Sequence, residues 1–314
     1  MRGPKFVLPA FCLFTLVHCS DGPTAPRGPF RLTILTAFGS SSGPVYKGVT
    51  YQSYAYDISP SGQIVGKAET PAPGDAYYPA LWPADGTSPI RLEANGNGFD
   101  MAFGINGRGQ VVGRGSCGGL GIACLWDAGH VTNLGWLDYA IYDGQSQPLA
   151  INDSGVAVGW ADAAPIGFDH AVMWRNGVAT DLGTLGGLQS EALDIDNEGR
   201  VVGWSRTIRP DSTLPLARHA FLWQNGTMTD LSLDLTIDEE TIAYAINDSG
   251  VIVGRLGGTT GSAVVWQHGT MSFLPGASPA KRLGSITGVK WSGRTFRAER
   301  RSTRPCGGTA SATI

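Results

Sequence analysis

The chain has 314 residues, of which 45 are glycine and 16% are charged, and its formal net charge is −3. Excess glycine without a collagen period predicts many tight turns between short strands. The body of the chain, from Arg31 to Ser278, is acidic. This argues against a nucleic-acid partner, because phosphates require a basic surface.

The first residues are typical of an export signal. A basic start precedes an apolar run from Phe6 to Val17, which is shorter than the ~20 residues that a membrane-spanning helix needs. We therefore expect a signal peptide at 1–18 and a flexible tether at 19–29. The segment Leu16-Val17-His18-Cys19 resembles a bacterial lipobox in which Cys19 is lipidated, although His18 replaces the small residue expected there. Both readings predict an exported protein, either an envelope lipoprotein or a freely secreted one.

Residues 30–278 repeat one pattern five times, with a period of about 47 residues. The first part of each copy follows Ala-x-x-Ile-Asn-x-x-Gly-x-Val-Val-Gly, at 55–66, 102–113, 192–203 and 243–254, and at 148–159 with Pro148 in place of the leading Ala. The Asn or Asp side chain can accept a hydrogen bond from the backbone two residues on, and the first Gly supplies positive φ. This part of each copy therefore predicts a β-hairpin.

A second hairpin in each copy is centred on a tryptophan. The five tryptophans occupy the same place in the pattern: Trp82, Trp126, Trp174, Trp223 and Trp266. A glycine-containing turn follows each of them, which is a strong hairpin signal. We expect the indoles to form a core stack, because a ring of ligand-binding aromatics would require a ligand site in every copy.

Four short strands in each copy predict an all-β protein, a β-propeller of five clear blades with an incomplete sixth at 283–296. A β-solenoid is the alternative. Segment 30–38 reads as one more strand, equivalent to the last strand of a copy, that could close the ring. The basic segment 279–314 has no β pattern. We interpret it as a degenerate or frame-shifted end rather than an anchor for anionic polymers.

A family resemblance rests on His219-Ala-Phe-Leu-Trp-Gln-Asn-Gly-Thr-Met-Thr-Asp-Leu231, on Asp181-Leu-Gly-Thr-Leu-Gly-Gly187 and on the Ile-Asn-x-x-Gly hairpin. These segments resemble the HAF repeat of extracellular bacterial proteins, over roughly residues 50–275. The first copy departs from it, with Tyr-Pro-Ala-Leu-Trp in place of the His-led strand. The resemblance implies export and a repeated β fold, and it transfers no activity and no catalytic residue.

Candidate metal chemistry is confined to the fourth copy. Asp194, Asp196 and Glu198 alternate before a glycine, like the start of a calcium loop. Other copies have Asn-Asp-Ser-Gly in the same frame, which favours a structural turn. We retain Ca²⁺ at these three residues as a hypothesis and expect no other cofactor.

For the other reactive residues, the sequence favours structural roles. Cys117 and Cys124 flank a loop between two strands, which a disulfide could close; two buried thiols are the alternative. We expect His170 and His219 to be edge or core residues rather than catalytic bases. The sequence has no nucleophile elbow, zinc-protease motif or phosphate loop.

Function is expected in the stretches that do not repeat, at 68–78, 115–122, 161–169, 205–218 and 256–262, which should converge on one face of a propeller. The sequence favours a non-enzymatic, monomeric binding module for a protein or glycan, with membrane contact only through an N-terminal lipid. The alternatives are a structural component of the cell envelope and a propeller enzyme acting on glycans. A binder should show an exposed aromatic or charged patch at the loops, and an enzyme unpaired acids facing the channel.

Overall fold

The computed structural model describes residues 52–274 except 71–76, 86–87, 93–99, 119–120, 138–143, 164–167, 208–216, 233–239 and 259–260, together with Leu35, 45–46, 49–50, 289–292 and 295–298. These residues belong to one compact unit, Leu35–Glu299. The predicted signal peptide, tether, Cys19 and most of the basic tail lie outside them. Within the described part of the chain, no helix is long and apolar enough to cross a membrane.

Five four-stranded antiparallel sheets account for the five copies of the repeat, and each consists of consecutive strands in chain order. Sheet 1 contains Ser53–Ile58, Ile64–Glu69, Tyr77–Trp82 and Ile90–Arg91. Sheet 2 contains Met101–Ile105, Val111–Gly115, Ile122–Asp127 and His130–Gly135. Sheet 3 contains Ser146–Ile151, Ala157–Ala163, Phe168–Arg175 and Val178–Asp181.

Sheet 4 contains Gly186–Ile195, Val201–Thr207, Arg218–Gln224 and Thr227–Asp230. Sheet 5 contains Thr241–Ile246, Ile252–Leu256, Ser262–Gln267 and Thr270–Phe273. Two separate hairpins lie outside these sheets: Val45–Tyr46 with Val49–Thr50, and Val289–Ser292 with Thr295–Ala298.

The arrangement of the sheets is that of a β-propeller. First strands of neighbouring sheets approach one another throughout the array, and the fourth strand lies at the opposite side of each sheet. Each of the five sheets is therefore a propeller blade, as predicted, and its first strand is the inner one. The solenoid alternative is wrong because each of these sheets is a separate antiparallel meander. In the described part of the chain, no sheet combines strands from the two ends of the repeat.

The segments predicted to extend the ring are described only in part. Within 30–38, Leu35 is described, and its carbonyl oxygen accepts a hydrogen bond from the Ser53 hydroxyl of sheet 1 at 3.0 Å. Within 283–296, the described residues belong to the hairpin Val289–Ser292 with Thr295–Ala298, which joins none of the five sheets. The closure of the ring therefore stays a prediction.

The glycine that ends each Val-Val-Gly run is required by a bulge in the first strand. In sheet 3 the register shifts between Pro148 and Ala150. A Cβ atom on Gly159 would lie 2.0 Å from the carbonyl oxygen of Gln147. The equivalent distances in the other sheets are 1.8 to 2.0 Å. Only glycine lets the two backbones approach so closely.

The Asn turn joins neighbouring sheets as well as closing its own hairpin. Asn152 Oδ1 accepts the backbone N–H groups of Ser154 and Val156, both at 3.0 Å. Asn152 Nδ2 donates to the carbonyl of Asp196 in sheet 4 at 3.0 Å, and Asn106 donates in the same way to the Asn152 carbonyl. The asparagine recurs because its amide both accepts and donates in a buried position.

Buried hydroxyl groups on the first strands make a second link between sheets. Each accepts a backbone N–H from the third strand of the preceding sheet at 2.8–2.9 Å: Ala123 to Ser146, Ala171 to Ser190, and Ala220 to Thr241. These bonds satisfy donors that would otherwise be buried without partners.

The tryptophans lie in the core. Trp82, Trp126, Trp174 and Trp266 are each at most 5% exposed, and Trp223 is half-buried. They do not form one continuous stack, because each contributes to a different cluster of apolar side chains. The tryptophans therefore belong to the packing of the blades.

Candidate functional site

Antiparallel order gives each sheet two different ends. The Asn turn and the turn between the third and fourth strands lie at one end, called here the turn end. The opposite end, called the loop end, has the connection from the second to the third strand. The predicted non-repeating stretches 68–78, 115–122, 161–169, 205–218 and 256–262 all span this connection, so they all belong to the loop end.

The residues of the calcium hypothesis lie at the turn end of sheet 4. The Asp194 carboxylate accepts the backbone N–H of Ile246 in sheet 5 at 2.9 Å. Asp196 Oδ2 is 2.5 Å from Arg200 Nε, and Glu198 is exposed. The structure does not bring the three side chains together as cation ligands. Among the described residues, no group of three or more His, Cys, Asp or Glu could hold a metal ion.

Arg200 supplies the donor that Asp196 lacks. Arg200 Nη2 donates to the Asp248 carbonyl in sheet 5 at 3.0 Å. This bond joins sheet 4 to sheet 5 as the Asn152 bond joins sheet 3 to sheet 4, but its acceptor lies one residue further along the turn. The Asp196 side chain is 0% exposed, so its charge needs the guanidinium as a partner. The acidic turn of the fourth copy is thus a structural variant, in which Asp and Arg together replace Asn.

His170 and His219 each bind an acid on the neighbouring fourth strand. The Nδ1–Oδ2 distance is 2.8 Å from His170 to Asp181 and 2.7 Å from His219 to Asp230. Burial acts to raise the pKa of Asp181, but hydrogen bonds from His170 and the Gly183 N–H outweigh it, and the pKa lies below its ordinary value. Both histidines therefore join the third strand to the fourth.

Cys117 and Cys124 form a disulfide at the loop end of sheet 2, with a Cα–Cα distance of 6.1 Å. The bond ties the connecting loop to the third strand. In the same sheet, Arg114 Nη2 donates to the Gln145 side chain at 3.0 Å, which connects the loop ends of sheets 2 and 3.

At the loop end of sheet 1, Lys67 lies against two tyrosine rings. Its Nζ atom is 4.7 Å from the ring centroid of Tyr54 and 4.3 Å from that of Tyr77. Burial lowers the pKa of Lys67, although the charge of Glu69 opposes this. Tyr54 remains 41% exposed, so the cluster presents an aromatic surface. Such contacts stabilise a cation by cation–π attraction.

The loop ends of sheets 4 and 5 share a network of charges. The Arg218 guanidinium lies 4.2 Å from the Trp204 ring centroid, and the Trp204 indole N–H donates to Glu191 at 2.9 Å. The Glu240 carboxylate forms ion pairs with two arginines, at 3.6 Å from Arg218 Nε and 3.1 Å from Arg255 Nη2. In this network each cation has a carboxylate beside it.

Sheet 3 differs, because the loop-end halves of its second and third strands carry carboxylates and no lysine or arginine. Asp162 and Asp169 are directly opposite each other on the second and third strands. Burial raises the pKa of Asp169, and the charge of Asp162 raises it further, against the influence of His170. Burial likewise raises the pKa of Glu191, although the Trp204 N–H and Arg218 act against it; Asp169 adds to the rise.

The predicted non-repeating stretches include Tyr77, Asp169 and Arg218, but they begin one residue too late to include a further loop-end position. The repeat pattern ends at the glycine of Val-Val-Gly, and the next residue is large in every copy: Lys67, Arg114, Trp160, Trp204 and Arg255. Four of them are partly exposed, and Trp204 is buried. The sequence does mark this position, because its side chain is large in all five copies while its charge differs from copy to copy.

No protein-family model matches the chain, and no curated protein does. Solved structures do show similarity. TolB from Acinetobacter baumannii is 13% identical, with a TM-score of 0.45, over 74% of this chain and 55% of TolB. The chain thus spans little more than half of the TolB length.

Two further structures are similar at the same low level. The β-propeller domain of the trilobed protease from Pyrococcus furiosus is 9% identical, with a TM-score of 0.37, over 70% of this chain and 82% of that domain. A puromycin-hydrolyzing peptidase from Mycobacterium tuberculosis is 13% identical, with a TM-score of 0.46, over 71% of this chain and 37% of the peptidase. At these identities the likeness concerns the fold alone.

Proposed function

We propose that the protein is an exported, non-enzymatic binding module that contacts a protein or glycan partner through the loop end of its blades. The contrast between the two ends supports the proposal most directly. At the turn end, side chains such as Asn106 and Asn152 form hydrogen bonds that recur from sheet to sheet. At the loop end, equivalent positions hold different cations and aromatics that are partly exposed, such as Lys67 and Trp160. Tyrosine, tryptophan and arginine are the residues that dominate binding surfaces.

Export is supported by two independent features. The N-terminal segment has the pattern of a signal peptide, and the Cys117–Cys124 disulfide fits an oxidising compartment. Lipidation of Cys19 is part of the proposal. Mass spectrometry of the protein recovered from a bacterial envelope should find a diacylglyceryl group on an N-terminal Cys19. An unmodified N-terminus at or beyond Ser20 would exclude it.

A matched pair of arginine variants tests the role of the loop end. Arg114→Ala changes the loop end of sheet 2, and Arg108→Ala changes an exposed arginine at the turn end of the same sheet. The full chain is tested against immobilised envelope polysaccharides and envelope-protein extract. We expect Arg114→Ala and Tyr54→Ser to weaken capture, and Arg108→Ala to leave it unchanged. Equal capture by all variants would refute binding through the loop end.

An enzyme acting on glycans is the second candidate, and the raised pKa values of Asp169 and Glu191 favour it. Cleavage of a glycosidic bond uses a carboxyl group that remains protonated, together with a second carboxylate. Release of reducing ends from an envelope polysaccharide by the full chain, and its loss in Glu191→Gln, would establish this activity. Binding without release of reducing ends would exclude it for that polysaccharide.

A further inference from the structure

The five sheets provide internal comparisons for one position at the loop end, the residue that follows the second-strand glycine. It is Lys67, Arg114 and Arg255 in sheets 1, 2 and 5, so these sheets carry a cation there. In sheet 4 the residue is Trp204, and Arg218 from the third strand places its guanidinium over the ring. Four of the five sheets therefore fill this region with a basic group of their own.

The arrangement in sheet 4 shows how a guanidinium is held there. Arg218 lies 4.2 Å from the centroid of Trp204, and its Nε is 3.6 Å from Glu240. Glu191 accepts the indole N–H at 2.9 Å and so fixes the ring. The cation thus contacts both an aromatic ring and a carboxylate, which stabilise it by cation–π and ion-pair attraction.

Sheet 3 has the same frame without the cation. Trp160 takes the place of Trp204 after the second-strand glycine, and Asp169, five residues before Trp174, takes the place of Arg218, five residues before Trp223. Asp162 and Asp169 are opposite each other, so their side chains share the face of the sheet that bears Trp160. The connecting residues 164–167 are Ala-Pro-Ile-Gly and contain no basic side chain.

Within the described part of the chain, the polar contacts of the sheet 3 carboxylates include a backbone N–H and a histidine, and neither carboxylate forms an ion pair with lysine or arginine. Asp162 Oδ2 accepts the backbone N–H of Gln145 at 2.8 Å. Asp169 faces Asp162, with His170 as the nearby basic group, and His170 is itself bound to Asp181. The raised pKa of Asp169 is the consequence expected when a carboxylate is half-buried beside a like charge. A cation placed between these groups would relieve that repulsion.

We propose that the loop end of sheet 3, formed by Trp160, Asp162 and Asp169 and bordered by Glu191, receives the guanidinium or ammonium group of a basic segment in a partner protein. The proposal rests on the binding function proposed above and specifies its partner chemistry. Charge complementarity selects the occupant: the surface combines an aromatic ring with acids, and the equivalent surface of sheet 4 already holds an arginine. A neutral glycan would leave the carboxylates unpaired.

The test uses the full chain and an N-acetylated hexa-arginine peptide, with hexa-citrulline as the uncharged analogue, in fluorescence polarisation. Asp169→Asn keeps the shape of the side chain and removes its charge. We expect about tenfold weaker binding of hexa-arginine, the effect of losing one ion pair of ~1.4 kcal/mol. Glu198→Gln removes an exposed carboxylate at the turn end and is the matched control, with affinity unchanged.

A second pair of variants keeps the test independent of stability effects. Asp169→Arg should place a guanidinium over Trp160, as Arg218 does over Trp204, and abolish peptide binding while the thermal unfolding temperature is kept. Glu198→Arg makes the same change of charge at the turn end and should retain binding. Equal affinity in wild type and Asp169→Asn, or equal losses in the Asp169 and Glu198 variants, would overturn the proposal. Capture of envelope partners that depends on Arg114 but not on Asp169 would overturn this inference and leave the proposed binding function intact.

Discussion

The Asp196–Arg200 pair provides a sharp test of how the blades are held together. Arg200→Gln leaves the carboxylate of Asp196, which is 0% exposed, without its charged partner at 2.5 Å, and it also removes the bond to the Asp248 carbonyl. Removing one partner of a buried ion pair costs 3–5 kcal/mol. Because Arg200 is itself 20% exposed and Asp196 keeps a bond from the Arg200 backbone, we expect about 3 kcal/mol, the low end of that range.

The second copy shows how the loss can be repaired. Its turn has Asn106 with Gln110 four residues later, and the two side chains are hydrogen-bonded at 2.8 Å. Asp196→Asn combined with Arg200→Gln converts the fourth turn into this form. We expect the double variant to recover at least ~2 kcal/mol of the stability lost in Arg200→Gln, a coupling typical of residues in one network.

Urea unfolding followed by tryptophan fluorescence measures these differences as shifts in midpoint at constant slope. Arg108→Gln, at an exposed arginine of the second turn, is the control and should change stability by less than ~0.5 kcal/mol. An additive double variant, or an Arg200→Gln variant as stable as the control, would refute the view that Asp and Arg replace Asn as a unit.

Three further predictions concern other parts of the fold. Gly159→Ala should cost ~3 kcal/mol or prevent folding, because its Cβ would lie 2.0 Å from a backbone oxygen, whereas Gly258→Ala, with nothing within 4 Å, should be nearly neutral in thermal unfolding. Replacing Cys117 and Cys124 by Ala should lower the free energy of unfolding by ~2–3 kcal/mol, and a dithiothreitol-treated wild type should match the variant. The raised pKa of Glu191 means that the folded state binds its proton more tightly than the unfolded state, so the contribution of this group to stability increases as pH falls. Glu191→Gln should therefore be at least as stable as wild type at pH 7, and its advantage should shrink toward pH 4; a growing advantage at low pH would contradict this sign.

The architecture was predictable because the same turn and strand residues recur in five copies of the repeat. The sequence pattern directly predicts the turn at Gly155, where φ is +80°. It also predicts that Val158 lies in a strand with a buried side chain. The requirement for Gly159 did not follow from the pattern, because it comes from a carbonyl oxygen in a bulged neighbouring strand. Similarly, the sequence indicated Asp194 and Asp196 as oxygen ligands, and their actual partners lie in the next sheet or four residues along the chain.

The loop-end surface was the least predictable part, because its contacts join residues that no local pattern links. Asp169 of sheet 3 acts on the pKa of Glu191 in sheet 4, and Arg218 of sheet 4 pairs with Glu240 at the start of sheet 5. Such pairs depend on the packing of one blade against the next. Only the location of this surface, at the non-repeating connections, followed from the sequence.

The placement of the inter-blade bonds explains why the loop end is free to vary. The asparagine turns and the glycine contacts hold the first two strands of each sheet, and both lie before the residue that follows the glycine. That residue is the first one along the second strand from which no recurring bond is required. The chain can therefore place Arg114 in one blade and Trp160 in the next without changing the frame. The recurring hydroxyl bonds at the loop end come from Ser146, Ser190 and Thr241 on the first strands, so they too leave this second-strand position free to differ between blades. The loop end is therefore the part of the surface that differs from blade to blade.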